Sequence, residues 1–515
     1  MEEGDYSGLD DGAALDRLAE LIDQAADTQD GELTDQALRL SEHMAARGSL
    51  SGEQRVLLHY FRANAFENKL HEAGEARTWA WEIPFLEKVI LELRQAVRDE
   101  CFPSLDPFRR CQILTNLGSK LNSIGRPVEA LALWDAAIAL NPRFAMAFGN
   151  RGLGLRSYAD SLYDSGHADL LLAAAHDSLI AASAEDAVFD SPQNLAHAPL
   201  FAEMAADLAS RIDIEGARED LSRDFSLGRS RAERTYRGWA LQNRLFLNPL
   251  NDLGPWAIAA HDVLHLPSLT TAIDESGPGP PAAFGFYNQL KQEYVSARWL
   301  CFEGLHEERA HFSDRGTHLY DTLGIPAYSL AVEKTKIALR MTYSLLDKVA
   351  FFINDYFKVG LPEKAVSFRS VWHERKGDPK PLAAVFRDRK NWPLRGLFWL
   401  ARDIYEPAFQ DVAEPEAQRL ADLRNHLEHK YCQVHEDLGI GYSRFAGRGD
   451  GAKLALTIGR DALEAKTLHI LQKARAALIY LSLAVHREEG VRNSGRDGGL
   501  VVRAPLWMWR ERGRL

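Results

Sequence analysis

Apolar residues recur at spacings of three and four along nearly the whole chain, and strict alternation is rare. That period places apolar side chains on one face of an α-helix, so an almost entirely helical protein is expected. At 515 residues the chain is too long for one small core. Its helices must therefore stack as an array or divide among bundles.

One stretch carries an internal repeat. In LTNLGSKLNSIGRPVEALALWDAAIALNP, the first helix is marked by Leu114, Leu117, Gly118 and Leu121. Ala130, Trp134 and Ala137 mark the second, which Pro142 stops. Gly118 and Ala130 are small where two helices would cross closely, and Trp134 is placed to fill the gap beside them. The spacing resembles the tetratricopeptide pattern, with Leu in place of its first Trp and of its Tyr. A second unit starts in phase, Phe148 lying 34 residues after Leu114 and Gly152 34 after Gly118, then drifts around YADSLYDSGHAD.

Residues 12–225 are accordingly expected to be a tetratricopeptide-like helical-repeat array, a module for sensing or docking. Residues 226–283 read as a connecting helical segment and linker, ending in the Gly/Pro-rich DESGPGPPAAFG. Residues 284–490 read as a helical bundle, with helices over 293–308, 329–357, 392–406, 413–437 and 461–485. Residues 491–515 read as an Arg-rich tail, partly disordered.

Charge and cysteines narrow the function. The net charge is −12, so nucleic acid is not bound by the surface as a whole and any such site must be a local basic patch. Four cysteines without a CxxC pair fit a reducing, cytoplasmic setting. The acidic start MEEGDYSGLDDG is unlike a signal peptide. The longest apolar run, Ala474 to Val485, is shorter than the roughly 18 residues a membrane span needs, so no membrane partner is expected. There is no GxxxxGK[ST] loop and no GxSxG elbow, which leaves nucleotide hydrolysis and serine-hydrolase chemistry without support.

The chemistry concentrates in LRNHLEHKY, Leu423 to Tyr431. Ala417, Leu420, Leu427 and Tyr431 follow a buried helical stripe, and Arg424 falls on it. An Arg in a packed seam needs a partner or a wet cavity. His429 follows Arg424 by five residues, roughly 140° around an ideal helix, so the two side chains do not meet on one straight helix. Either the helix bends or ends between them, or a second subunit completes the site. In the bland reading Arg424 pairs with Glu428 at i, i+4 and His429 is merely exposed. His426 and His429, with His435, could also be read as metal ligands, as could His261, Asp262 and His265 in HDVLH. Neither set has the full ligand complement of a metal site.

Arg424-Asn425-x3-His429 resembles the motif of the HEPN-domain ribonucleases. Longer stretches are similar to a HEPN subfamily with N-terminal tetratricopeptide-like helices. Among them are RGWALQNRLFLNPLNDL, YNQLKQEYVSARWL, YSLAVEKTKIALRMTYSLLDKVAFFINDYF, SFRSVWHERKG and WPLRGLFWLARDIY, over about 230–490. The resemblance implies an all-α protein in which the array precedes a HEPN bundle. It implies a metal-independent endoribonuclease without cofactors, working on RNA as a homodimer. The catalytic residues would be Arg424, His429 and Asn425, and the role that of a toxin-like effector, as in antiviral defence, with a protein or peptide trigger on the array. The contrasting reading is a non-catalytic scaffold with an inactive HEPN domain that binds RNA or protein. On the long apolar helix, Arg340, Ser344, Asp347 and Asn354 share a face. Asp347 and Arg340 are secondary site candidates beside Glu428 and His426, or else parts of a buried network that fixes helix register. Arg395 is open to the same two readings.

Overall fold

The computed structural model describes residues 9–270, 282–307, 309–320, 326–377, 380–406, 431–436, 455–494 and 508. As the periodicity requires, the described chain is dominated by helices. The N-terminal part comprises α1 (Asp11–Thr28), α2 (Gly31–Arg47), α3 (Gly52–Glu72), α4 (Pro84–Arg98), α5 (Pro107–Ser123), α6 (Pro127–Leu140), α7 (Ala145–Ala159) and α8 (Ser165–Ala182). It continues with the single turn α9 (Pro192–Leu195), then α10 (Ala198–Arg211), α11 (Ile214–Ser222) and α12 (Arg231–Gln242). The C-terminal bundle is built from α13 (Ala282–His306), α14 (Leu330–Tyr356), the short α15 (Ala384–Arg387), α16 (Trp392–Tyr405) and α17 (Arg460–Ser494). Local chemistry sets several starts: Ser51, Asp106, Ser329 and Asn391 each accept a backbone N–H at an N-terminus.

The repeat packs as its small residues imply. A Cβ on Gly118 would lie 2.7 Å from the Trp134 indole, which is buried and donates to the Thr115 carbonyl at 3.2 Å. Gly152, one period later on α7, takes the same place, with Leu179 of α8 filling the space at 2.7 Å. The drift in phase comes from the longer α7–α8 connection and the longer second helix.

Array and bundle share a core: one apolar cluster runs from Val56 to Val485, and a smaller one lies among α1, α2 and α3. The turn between α5 and α6 meets α16 backbone to backbone. Gly125 has φ +90° and a Cβ there would sit 2.0 Å from the Trp392 carbonyl, while a Cβ on Gly396 would sit 2.0 Å from the Gly125 carbonyl. Only glycine on both sides permits that approach. The Trp392 indole closes the joint by donating to the Asn122 carbonyl at 2.8 Å.

Buried ion pairs cross the same joint. Asp403 of α16 takes both forks of Arg94 from α4, at 2.6 and 2.8 Å, and a third bond from Arg126 at the start of α6. Arg126 also holds Glu129, which receives the Tyr480 hydroxyl from α17. Burial alone would raise both carboxyls. Arg126 outweighs it, holding Glu129 at about 2 and, together with Arg94, Asp403 well below its ordinary 3.8. Two further arginines clamp the connecting segment. Arg475 of α17 binds Asp252 at 2.6 Å and the carbonyls of Phe246 and Asn248. Arg298 of α13 binds Asp262 at 2.8 and 2.7 Å and the Leu245 carbonyl.

Three expectations need correction. The helix read over 413–437 does not reach its end: Tyr431–His435 is a strand, β1, paired in parallel with β2 (Ala455–Gly459), Tyr431 opposite Ala455 and His435 opposite Gly459. Tyr431 is therefore not part of a buried helical stripe, and it is exposed. The cause is visible in Tyr-Cys-Gln-Val-His, where Cys432 and Val434 are buried with period two. Second, α13 begins at Ala282, inside the stretch read as linker. Third, α17 runs to Ser494, past the expected start of the tail. By length and composition α17 could cross a membrane, but 78% of its most apolar window is buried in the fold, as in a core helix.

Removing the acid from the Asp403 knot leaves two guanidinium groups buried against each other, so Asp403→Asn is expected to destabilise by about 3–5 kcal/mol. Because the folded carboxyl titrates below its unfolded value, its contribution is complete above about pH 4 and fades as pH falls toward the folded value. Urea midpoints at pH 7 and pH 3 check both: the wild type loses stability on acidification, and Asp403→Asn loses less. Equal losses would remove Asp403 from the acid response.

Candidate functional site

Arg424, Asn425, His426, Glu428 and His429 lie outside the described residues. What is described is the chain on either side. It leaves α16 at Tyr405 and Glu406, and it re-enters at Tyr431, the first residue of β1.

The exit is an ionised cluster. Arg402, on the last turn of α16, is buried and binds Glu406 through Nε at 2.8 Å and Glu87 of α4 through Nη2 at 2.7 Å. Its guanidinium lies 4.8 Å from the Trp399 ring. Burial works against this cation, and Glu87 and Glu406 outweigh it. Burial also raises the Glu406 carboxyl, with Arg402 only partly countering.

The entry is tied down by backbone and hydroxyl contacts. Ala327 N–H donates to the Val434 carbonyl at 2.6 Å, and the Tyr328 and Tyr431 hydroxyls are hydrogen-bonded. Burial pushes the Cys432 thiol up. His435 is fully buried, and neither ring nitrogen has a hydrogen-bond partner among the described residues. His435 falls on the face of Tyr431 and Gln433, opposite Cys432 and Val434, so its burial comes from its position at the end of β1 and not from the alternation.

On α14 the polar face separates by role. Asp347 accepts from the Phe368 N–H at 3.1 Å, and Asn354 bonds the Leu361 N–H at 2.9 Å and its carbonyl at 3.0 Å. Both hold the loop that follows α14. Arg340 and Ser344 are half-buried on the same helix. In HDVLH, Asp262 gives both oxygens to Arg298, and burial, which would raise its carboxyl, is outweighed by that partner. His265 Nδ1 contacts the Leu266 carbonyl at 2.7 Å. No group of three or more metal-ligating side chains occurs among the described residues.

Arg395 fits neither an ion-pair network nor an open cleft. It is 4% exposed, its Nε and Nη2 have no hydrogen-bond partner among the described residues, and its guanidinium stacks over Trp79 at 5.3 Å. Burial pushes its pKa down to about 10. It stands two turns before Arg402 on the same face of α16; among the described residues Arg402 has two carboxylates and Arg395 none. A desolvated cation of this kind costs stability. Arg395→Met, which keeps the stem and removes the charge, is therefore expected to stabilise the fold by about 1–4 kcal/mol, read as a higher urea midpoint. A lower midpoint would show that stacking on Trp79 outweighs desolvation.

Residues 275–488 match the family described as LA2681-like HEPN. No curated protein and no solved structure matches the chain.

Proposed function

We propose, from the LA2681-like HEPN domain that residues 275–488 constitute, that the chain is an endoribonuclease effector acting without metal. The observation that carries this reading is that Arg424-Asn425-x3-His429 falls inside the matched segment, between α16 and β1. The ribose 2′-OH attacks the adjacent phosphate, the 5′-oxygen of the next nucleotide leaves, and a 2′,3′-cyclic phosphate remains. His429 moves the proton, since imidazole titrates near neutrality. Arg424 stabilises the anionic phosphorane with its planar fork of donors, and Asn425 orients a phosphate oxygen or the imidazole. RNA is selected over DNA because the nucleophile is the 2′-OH.

Two copies of the bundle bring two motifs together and answer the geometric difficulty of Arg424 and His429 on one helix. Exposed side chains near the entry to β1 supply a surface for such pairing. Phe312, Tyr328 and Tyr431 are exposed there, with Asp314 bonded to the Leu330 N–H, and Leu319 and Tyr320 follow on the same connection. The tetratricopeptide-like array senses a protein or peptide trigger, and activity is restrained until then. The setting is cytoplasmic and the role toxin-like, directed at invading phage.

Labelled RNA incubated with purified chain in EDTA tests the chemistry. Cleavage leaving 2′,3′-cyclic phosphate ends is expected, and Arg424→Ala and His429→Ala each reduce it by about 10²–10⁴-fold while retaining the fold and oligomeric state. Induced expression tests the role: growth is arrested by the wild type and spared by His429→Ala. RNA left intact in vitro, with equal growth of both strains, would favour the non-catalytic scaffold.

A further inference from the structure

A chain of net charge −12 can hold RNA only where basic residues gather, and one loop does so. Residues 361–390, between α14 and α16, carry eight Lys or Arg against four Asp or Glu. The loop walls a cavity of about 840 Å³, closed on its other side by the end of α16 and by Glu82. That volume lies within the range of roughly 300–1,000 Å³ typical of small-ligand sites. The polypeptide leaves this cavity at Glu406 and enters the segment that carries Arg424 and His429.

Of the acids that line the cavity, Glu374 is held by Arg387 and Glu406 by Arg402, which leaves Glu82 facing the lining cations. Arg369, Arg375 and Lys380 are exposed at the cavity and have no carboxylate partner among the described residues. Deeper in, Ala401 and Leu361 give an apolar wall, and His373 and Tyr405 are half-buried polar rings. Burial holds His373 below its ordinary value, so its imidazole is neutral at pH 7 and both donates and accepts. The loop is braced from α14 by the bonds of Asp347 and Asn354 described above. A braced pocket with three unpaired cations at its mouth and an apolar, ring-lined interior suits a splayed nucleotide. An A-form duplex, read along its grooves, would not enter it.

We propose that this cavity seats an unpaired nucleotide of single-stranded RNA, its flanking phosphates held by Arg369, Arg375 and Lys380. The chain leaves the cavity at Glu406, 18 residues before Arg424 in sequence. The identity of the ligand as RNA rests on the nuclease reading; the cavity and its charges do not.

The test uses the full-length chain bearing His429→Ala, to prevent turnover, and a fluorescent single-stranded RNA 12-mer followed by anisotropy. Arg369→Ala/Arg375→Ala/Lys380→Ala is expected to weaken binding at least about tenfold and to lower the slope of log Kd against log salt by about 2, with an unchanged melting temperature. A control triple on exposed positions of residues 223–237, which carry five Arg against two acids, Arg223→Ala/Arg229→Ala/Arg231→Ala, is expected to leave binding within about twofold. An unchanged Kd in the pocket triple, or equal losses in both triples, overturns the site. So does a duplex that binds as tightly as the single strand, or uridine monophosphate that binds as tightly as the 12-mer. RNA that binds through these residues in a wild-type chain that never cleaves it would leave the site standing and refute the nuclease.

Discussion

The carboxylate of Asp403, held by Arg94 and Arg126 with almost no access to water, is the interaction on which the arrangement of the molecule rests. Three helices from two parts of the chain meet at one acid. Each guanidinium taken out of water costs several kcal/mol, and the acid returns that only while all three groups remain in place. Such a contact adds little net stability over an apolar one but tolerates no shift in register. It fixes α4 and α6 of the array against α16 of the bundle. The glycine pair at 125 and 396 then lets the backbones approach until the joint is dry.

From that joint α16 runs outward through Arg402 to Glu406, at the edge of the cavity walled by residues 361–390. Its arginines show how one residue type serves opposite ends. Arg402 is buried with two carboxylates and stacked on Trp399; Arg395, two turns earlier, is stacked on an indole with no carboxylate partner among the described residues. The proposed RNA contacts fall on neither of these but on the exposed side chains of the neighbouring loop. Buried arginines fix geometry, and solvated ones remain available to phosphate. A charge already paired inside the fold has little left to offer a ligand, which is why a count of Arg residues says so little about where RNA binds.

Much of the helical framework was legible before any coordinates. Gly118, Ala130 and Trp134 announced a close helix crossing because volume complementarity depends on side-chain size, and size is written in the sequence. Ser329 and the apolar stripe behind it marked α14 to within a residue at either end. The strand at Tyr431–His435 was missed because five residues of period two were outweighed by a long stretch of period near three and a half. A parallel pair also depends on a partner 24 residues away, which no local pattern reveals. Arg424 and His429 were legible as a motif, whereas the cavity cations without a carboxylate partner among the described residues were not. Arg369, Arg375 and Lys380 look in sequence like any other surface charges.

The sequence by itself determined which segments are helical, where they are capped and which small residues face large ones, because these follow from interactions within a few turns of chain. It also carried the Arg-Asn-x3-His signature and an acidic balance that would confine any nucleic acid to a local patch. Tertiary structure alone decided which arginines are spent on Asp403, Asp252 and Asp262 and which lie exposed with no carboxylate partner among the described residues. Those partners lie tens to hundreds of residues away, and the worth of a charge is set by its partner and its access to water, not by its neighbours in the chain.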